Sequence, residues 1–204
     1  AGFVDLFCGA GGFTIRLQKA GWDALLGVDI NPHAAATHHH NFSMVSHETA
    51  DLGDPEVQER LTQQFVGQEV ALVAGGPPCQ GFSVFGKRRF VNTRGYAPHE
   101  DPRNRLVFAF VDFVRRVRPR WFLMENVPGL ANLDDGQFLQ VLLAEFRDAG
   151  YPNAEFRILN AADYGVPQLR KRLIIIGNRT GHIIPWPKKK FFADPKDWQD
   201  AHRG

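Results

Sequence analysis

The chain reads as an α/β protein: a doubly wound, mostly parallel sheet with helices on both faces, in the Rossmann-like manner. Three observations predict this. Short apolar runs alternate with amphipathic stretches along most of the chain. The first run passes directly into a glycine-rich turn, Phe7-Cys8-Gly9-Ala10-Gly11-Gly12, succeeded by a helical pattern. The second run ends in an acid, Asp29, twenty residues after Gly9.

Strands are expected at Phe3 to Phe7, Ala24 to Asp29, Val70 to Ala74, Trp121 to Glu125, Phe156 to Asn160 and Leu173 to Gly177, with a short one near Ser46 to Ala50. Helices are expected at Phe13 to Ala20, Pro32 to Asn41, Pro55 to Phe65, Leu106 to Val117 and Gln137 to Ala149. In the last, Phe138, Leu142 and Phe146 recur every four residues and Gly150 supplies a stop. Two stretches break the order. Residues 79 to 104 form a long basic loop, of a length that usually carries function. From Arg179 to Gly204 the pattern gives way, so residues 1–178 are read as the catalytic domain and residues 179–204 as an extended tail.

The 204 residues suit one sizeable domain, and 44% hydrophobic with 23% charged residues excludes disorder, collagen and coiled coil. Neither a membrane-length apolar run nor a signal-peptide pattern is present, so a soluble protein of a reducing cytoplasm is expected, with no membrane partner. Its two cysteines, Cys8 and Cys79, are too few for a disulfide framework or a zinc site, and both are expected free. The net charge of +2 hides a partition: residues 1–78 hold 3 basic and 9 acidic side chains, and residues 79–204 hold 21 and 13. The second part suits a polyanion.

Glycines at a strand-to-helix turn let a ligand approach the backbone closely, and Asp29 stands where an acid accepts hydrogen bonds from ribose hydroxyls. A dinucleotide fingerprint would carry a third glycine at position 14, which is Thr14. A nucleoside cofactor without a pyrophosphate, such as S-adenosylmethionine, therefore fits better than NAD, and an acidic first part suits a sulfonium cation.

The strand ending at Ala74 runs into Gly75-Gly76-Pro77-Pro78-Cys79-Gln80, at the strand end where doubly wound sheets bind ligands. Two prolines stiffen the approach to Cys79, and Lys87, Arg88 and Arg89 nearby favour its thiolate. The alternative is a small buried hydrophobe. The strand from Trp121 ends in Glu125, an acid that is either partly desolvated or paired with an arginine; a structural ion pair is the plainer reading. Arg170 and Arg172 alternate on one side of an extended segment, an arrangement that by itself more often marks a solvated basic edge. His38, His39 and His40 are consecutive on a helix and so point in different directions, without a cysteine or acid spaced to complete a metal site. They are read as a solvated helix face, and no metal is expected.

Taken together, the motifs resemble the cytosine-5 DNA methyltransferases over residues 3 to about 178. Six blocks occur in the family's order: Asp5 to Gly12 for motif I, Asp29 for II, Asp51-Leu52 for III, Pro78-Cys79-Gln80 for IV, Glu125-Asn126-Val127 for VI and Gln168 to Arg172 for VIII.

The resemblance implies the fold of an S-adenosylmethionine-dependent methyltransferase and a set of roles. Cys79 adds to carbon 6 of cytosine, making carbon 5 nucleophilic. Glu125 stabilises the charge that develops at ring nitrogen 3. Arg172 hydrogen-bonds the cytosine carbonyl, and Arg170 holds the acid and the thiol loop. The cofactor rests on Phe7, Gly9, Ala10, Gly11 and Gly12, with Asp29 at the ribose, Ile30 and Leu52 against adenine, Asp51 at its amino group, and Gly76, Pro78 and Leu106 nearby. The target base must leave the duplex, and the loop from Gln80 to Arg103 closes over it. Gln80, Ser83, Lys87, Arg88, Arg89, Arg94 and Arg103 are the expected contacts to double-stranded DNA.

Three other readings are weighed against this one. A tRNA-methylating branch shares most blocks, though Gln80-Gly81-Phe82-Ser83 looks like the DNA-type sequence. A regulatory relative typically lacks the nucleophile or the acid, and a dehydrogenase is disfavoured by Thr14. The family pattern continues with a target-recognition domain and motifs IX and X, which are absent from this stretch. They are expected on a second polypeptide or in further sequence, in a restriction-modification setting or a split enzyme.

Overall fold

The computed structural model describes residues 1–78 and 104–192. The elements alternate as expected: β1 (Gly2–Leu6), α1 (Gly12–Lys19), β2 (Asp23–Asp29), α2 (Pro32–Asn41), β3 (Ser46–Thr49), α3 (Pro55–Gln63), β4 (Leu72–Gly75), α4 (Arg105–Val117), β5 (Trp121–Asn126), α5 (Gln137–Asp148), β6 (Glu155–Asn160) and β7 (Lys171–Asn178). Two 3-10 segments, Pro128–Gly136 and Ala161–Tyr164, lack a periodic sequence signal. The first turns through left-handed Asp134 and Asp135, so its backbone follows local turns and not one helical face.

One mixed sheet runs in the order β3-β2-β1-β4-β5-β7-β6. Every pair is parallel except those made by β7, which lies antiparallel between β5 and β6. After β3 the chain passes back over β2 and β1 to place β4 on the far side of β1. The carboxyl ends of β1 and β4 thus lie side by side where the strand order reverses, the place at which doubly wound sheets hold ligands.

Short polar residues set the starts of α2 and α3. Asn31 accepts from the His33 and Ala34 N–H groups ahead of Pro32, and Asp54 does the same for Glu56 ahead of Pro55. The larger core lies on the face carrying Val4, Leu26, Val73, Phe122 and Met124, under α3, α4 and α5. There Phe122 stacks on Phe146 with centroids 3.9 Å apart, and the buried Tyr151 hydroxyl donates to the Pro119 carbonyl at 2.8 Å. The opposite face has a smaller cluster, Phe3, Leu72 and Ala74, against Phe13 and Leu17 of α1. Residues 179–192 form no regular element but return along the edge strand β6. Asn153 donates to the His182 carbonyl, Arg157 lies over the Trp186 ring, and the Lys190 and Phe191 N–H groups donate to the Asp163 carbonyl. No helix among the described residues is long and apolar enough to cross a membrane.

Candidate active site

The turn after β1 is built for close approach. Phe7 and Gly9 take left-handed conformations (φ 56° and 55°), and a Cβ at Gly9 or Gly12 would meet no atom within 4 Å. A ligand can therefore lie against that backbone. Gly11 is constrained from the other side: at φ 100°, a Cβ there would collide with the Phe42 ring. Ala10 is exposed beside them.

Asp29, ending β2, already organises this edge. Its Oδ2 accepts from the Gly9 N–H and its Oδ1 from the Asn31 N–H, both at 2.8 Å. One backbone bond on each oxygen leaves further lone pairs for a pair of hydroxyls, so the carboxylate fits a ribose. Ile30 beside it is 61% exposed, an apolar surface available to a flat ring. Asp51 accepts from the Gly53 N–H and from Arg105 Nη2, each at 2.8 Å. Burial raises its carboxyl, but the Arg105 hydrogen bond, the Gly53 N–H and the Arg105 charge outweigh that and hold it below the usual range. Leu52 is buried in the main core. Leu106 is half-buried on the first turn of α4, and Pro78 is exposed after β4.

Two side chains meet at the end of β5. Glu125 Oε1 is 2.5 Å from Arg172 Nε, and the side chains are 29% and 25% exposed. Glu125 pairs with Ile174 across the β5/β7 ladder, so Arg172, two residues earlier on β7, is its diagonal neighbour on the same face. The guanidinium beside the acid is that of Arg172; Arg170 lies just before β7, with its backbone N–H bound to Asn160 Oδ1 at 3.0 Å. A Cβ at Gly76 would be 3.2 Å from Glu125 Oε2, so this glycine is what lets the acid sit against the backbone after β4. Buried Asn126 Nδ2 donates to the Pro77 carbonyl at 3.0 Å and ties the same segment to β5. Its place in the Glu125-Asn126-Val127 block was visible in the sequence, but its positioning role was not.

Cys79, Gln80, Ser83, Lys87, Arg88, Arg89, Arg94 and Arg103 lie outside the described residues.

Behind the glycine turn is a buried polar group that periodicity did not reveal. Asp5 and His38 are both fully buried, which corrects the reading of His38 as part of a solvated face; His39 and His40 are exposed. Asp5 Oδ2 accepts from the Thr14 N–H (3.0 Å) and hydroxyl (2.7 Å). Burial pushes the Asp5 carboxyl up to about 7, against the Thr14 hydrogen bonds and with a smaller push from the Asp29 charge. The buried Cys8 thiol is likewise raised, by burial first and then by the charges of Asp5 and Asp29. Cys8 is free.

Comparison with known proteins gives the family of the chain. The family model for C-5 cytosine-specific DNA methylases matches residues 1–201. Over 184 residues the chain is 39% identical to the type II methyltransferase M.XorII of Xanthomonas oryzae pv. oryzae, covering 89% of this chain and 41% of that protein. It is 36% identical over 193 residues to the type II methyltransferase M.AquIA of Picosynechococcus, covering 91% and 75%. A crystal structure of a prophage-encoded E. coli protein, described as a DNA modification methyltransferase, superposes with a TM-score of 0.67 at 29% identity, covering 87% and 46%. The chain thus spans less than half the length of two of these three. On sequence and fold alike, it belongs to the C-5 cytosine-specific DNA methylase family.

Proposed function

We propose that residues 1–178 are the catalytic part of a bacterial, cytoplasmic DNA (cytosine-5) methyltransferase of restriction-modification type. Residues 179–204 then lead toward a target-recognition region supplied by further sequence, on the same chain or on a second polypeptide. The observation that carries the reading is the Glu125–Arg172 pair set against Gly76, on the sheet edge shared with the glycine turn and Asp29.

S-adenosylmethionine, when bound, supplies a methyl group on a sulfonium centre. Asp29 accepts the ribose hydroxyls, Gly9 to Gly12 admit the cofactor to the backbone, and Phe7, Ile30 and Leu106 give it apolar surface. Asp51, held in place by Arg105, accepts from the adenine amino group. Cys79, as thiolate, attacks carbon 6 of a flipped-out cytosine. Glu125, protonated or sharing a proton with ring nitrogen 3, would stabilise the charge that develops there, and Arg172 would both orient Glu125 and donate to the cytosine carbonyl. Arg170 helps hold the acid and the thiol loop, and the basic residues between Gln80 and Arg103 bind the phosphate backbone, so affinity falls steeply with salt. Carbon 5 would take the methyl group as its bond to the sulfonium breaks and S-adenosylhomocysteine leaves; loss of the carbon 5 proton to a base and then of Cys79 would restore the aromatic ring.

The test is transfer of labelled methyl from S-adenosylmethionine to DNA and, separately, to tRNA, by this chain alone and with its remaining sequence supplied. Label in DNA that disappears in Cys79→Ser is the expected result. Label confined to tRNA, or label that survives Cys79→Ser, overturns the reading.

A further inference from the structure

Three neighbouring strands bring Asp5, Gly27 and His47 into one row, since Asp5 pairs with Gly27 and Gly27 with His47. Over this row lie Thr14 from α1, His38 from α2 and Cys8 from the turn after β1. The candidate donor atoms of Cys8, His38 and His47 are all within 4.8 Å of one another. Gly27 makes the space: a Cβ there would be 2.8 Å from His38 Cε1 and 3.4 Å from Cys8 Sγ.

The hydrogen bonds define which atoms are free. Thr14 has one hydroxyl proton, which it gives to Asp5 Oδ2 at 2.7 Å. With Asp5 ionised, the contact with His38 Nε2 at 3.0 Å is donated by the imidazole. His38 is thereby held as the Nε2–H tautomer, with a lone pair on Nδ1. That nitrogen is buried without a hydrogen-bond partner, as are both ring nitrogens of His47. A histidine whose second nitrogen is fixed by a hydroxyl and a carboxylate behind it is the arrangement that orients metal ligands.

We infer that Cys8, His38 and His47 form a site for a zinc-like divalent metal ion, which pins the glycine turn to α2 and β3. One thiolate and two imidazoles suit borderline-soft metals, and the absence of oxygen ligands disfavours magnesium and calcium. Cys8 enters as the thiolate, its proton passing to the buffer. Tetrahedral bonds to sulfur and nitrogen put the donors about 3.3–3.7 Å apart, so the side chains close inward by about 1 Å on binding. Water completes the fourth position on the side of half-buried His47. This inference is independent of the function proposed above, because none of the three side chains takes part in methyl transfer.

The experiment is titration of the chelator-treated full chain with Co²⁺, read as the near-ultraviolet thiolate-to-metal band and the visible bands of tetrahedral cobalt. Saturation at one equivalent is expected, with bleaching by Zn²⁺. The sulfur band should vanish in Cys8→Ser and persist in Cys79→Ser, and affinity should fall at least about tenfold in His47→Asn while His39→Asn and His40→Asn bind normally. Should Cys8→Ser misfold, the melting temperature decides: Zn²⁺ should raise it in the parent chain and not in His47→Asn. No cobalt band in the folded parent chain, a band that follows Cys79, or a Zn²⁺ shift retained in His47→Asn overturns the inference.

Discussion

The β3-β2-β1 side of the sheet and the β5-β7 side place their polar groups under opposite conditions. On the first, Asp5, Thr14 and His38 are fully or almost fully buried, and burial keeps the Asp5 carboxyl protonated toward neutral pH. On the second, Glu125 and Arg172 share an ion pair still a quarter or more open to solvent. The buried group holds the glycine turn to the sheet, so its alteration should register in folding. The open pair can exchange its mutual contact for a substrate, so its alteration should register in rate. Position in the sheet separates a scaffold from a working group even though both contain a carboxylate.

The largest effect should come from the open side. Glu125→Gln keeps the shape and removes the charge, and methyl transfer should drop by about 10²–10⁴-fold. Its melting temperature should stay within a few degrees of the parent, and a collapse of stability would erase the contrast.

The buried side should show in pH dependence. The Asp5 carboxyl is raised in the folded protein, from 3.8 to about 7, so the folded state binds its proton more tightly than the unfolded chain does. The resulting stability is complete below about pH 4 and is lost as pH rises to about 7, by on the order of 4 kcal/mol. Denaturant melts of the parent and of Asp5→Asn across that window measure it. The parent's excess pH slope should be missing from the variant.

Gly11→Ala should come next in size. It puts a methyl group into Phe42 at a left-handed position, and a loss of about 2–3 kcal/mol is expected by urea unfolding. Smallest is Arg105→Ala. The Arg105–Asp51 pair is about half exposed, so stability should change by less than about 1 kcal/mol. If Asp51 meets the adenine amino group, cofactor affinity should weaken more than stability does, which isothermal titration would show.

Much of the fold was legible because its strands are short apolar runs with clear stops. The start of α2 at Pro32 follows from Asn31 and Pro32 alone. The direction of β7 was not legible: Leu173-Ile174-Ile175-Ile176 is equally apolar whichever way the strand runs. At the site, Asp29 and Glu125 could be read from their places at strand ends. The partner of Glu125 could not, because Arg170 and Arg172 share one periodicity and only the β5/β7 register chooses between them. His38 was missed for a related reason. A run of three histidines has no apolar period to indicate the inward one, and Gly27, whose missing side chain admits it, is remote in sequence.

The reversed strand also shapes the distribution of charge. Because β7 runs against β5, it begins at the edge where β5 and β6 end and delivers the chain to the far side of the sheet. Residues 179–192 must travel back along β6, and they arrive with Lys189 bound to Asp163 at 3.2 Å. Lysines 188–190 and arginines 170 and 172 are thereby gathered on one rim, though about seventeen residues separate them in the chain. An odd strand thus works as a folding rule for electrostatics: it brings cations far apart in the chain back to the end of the sheet where β5 and β6 stop.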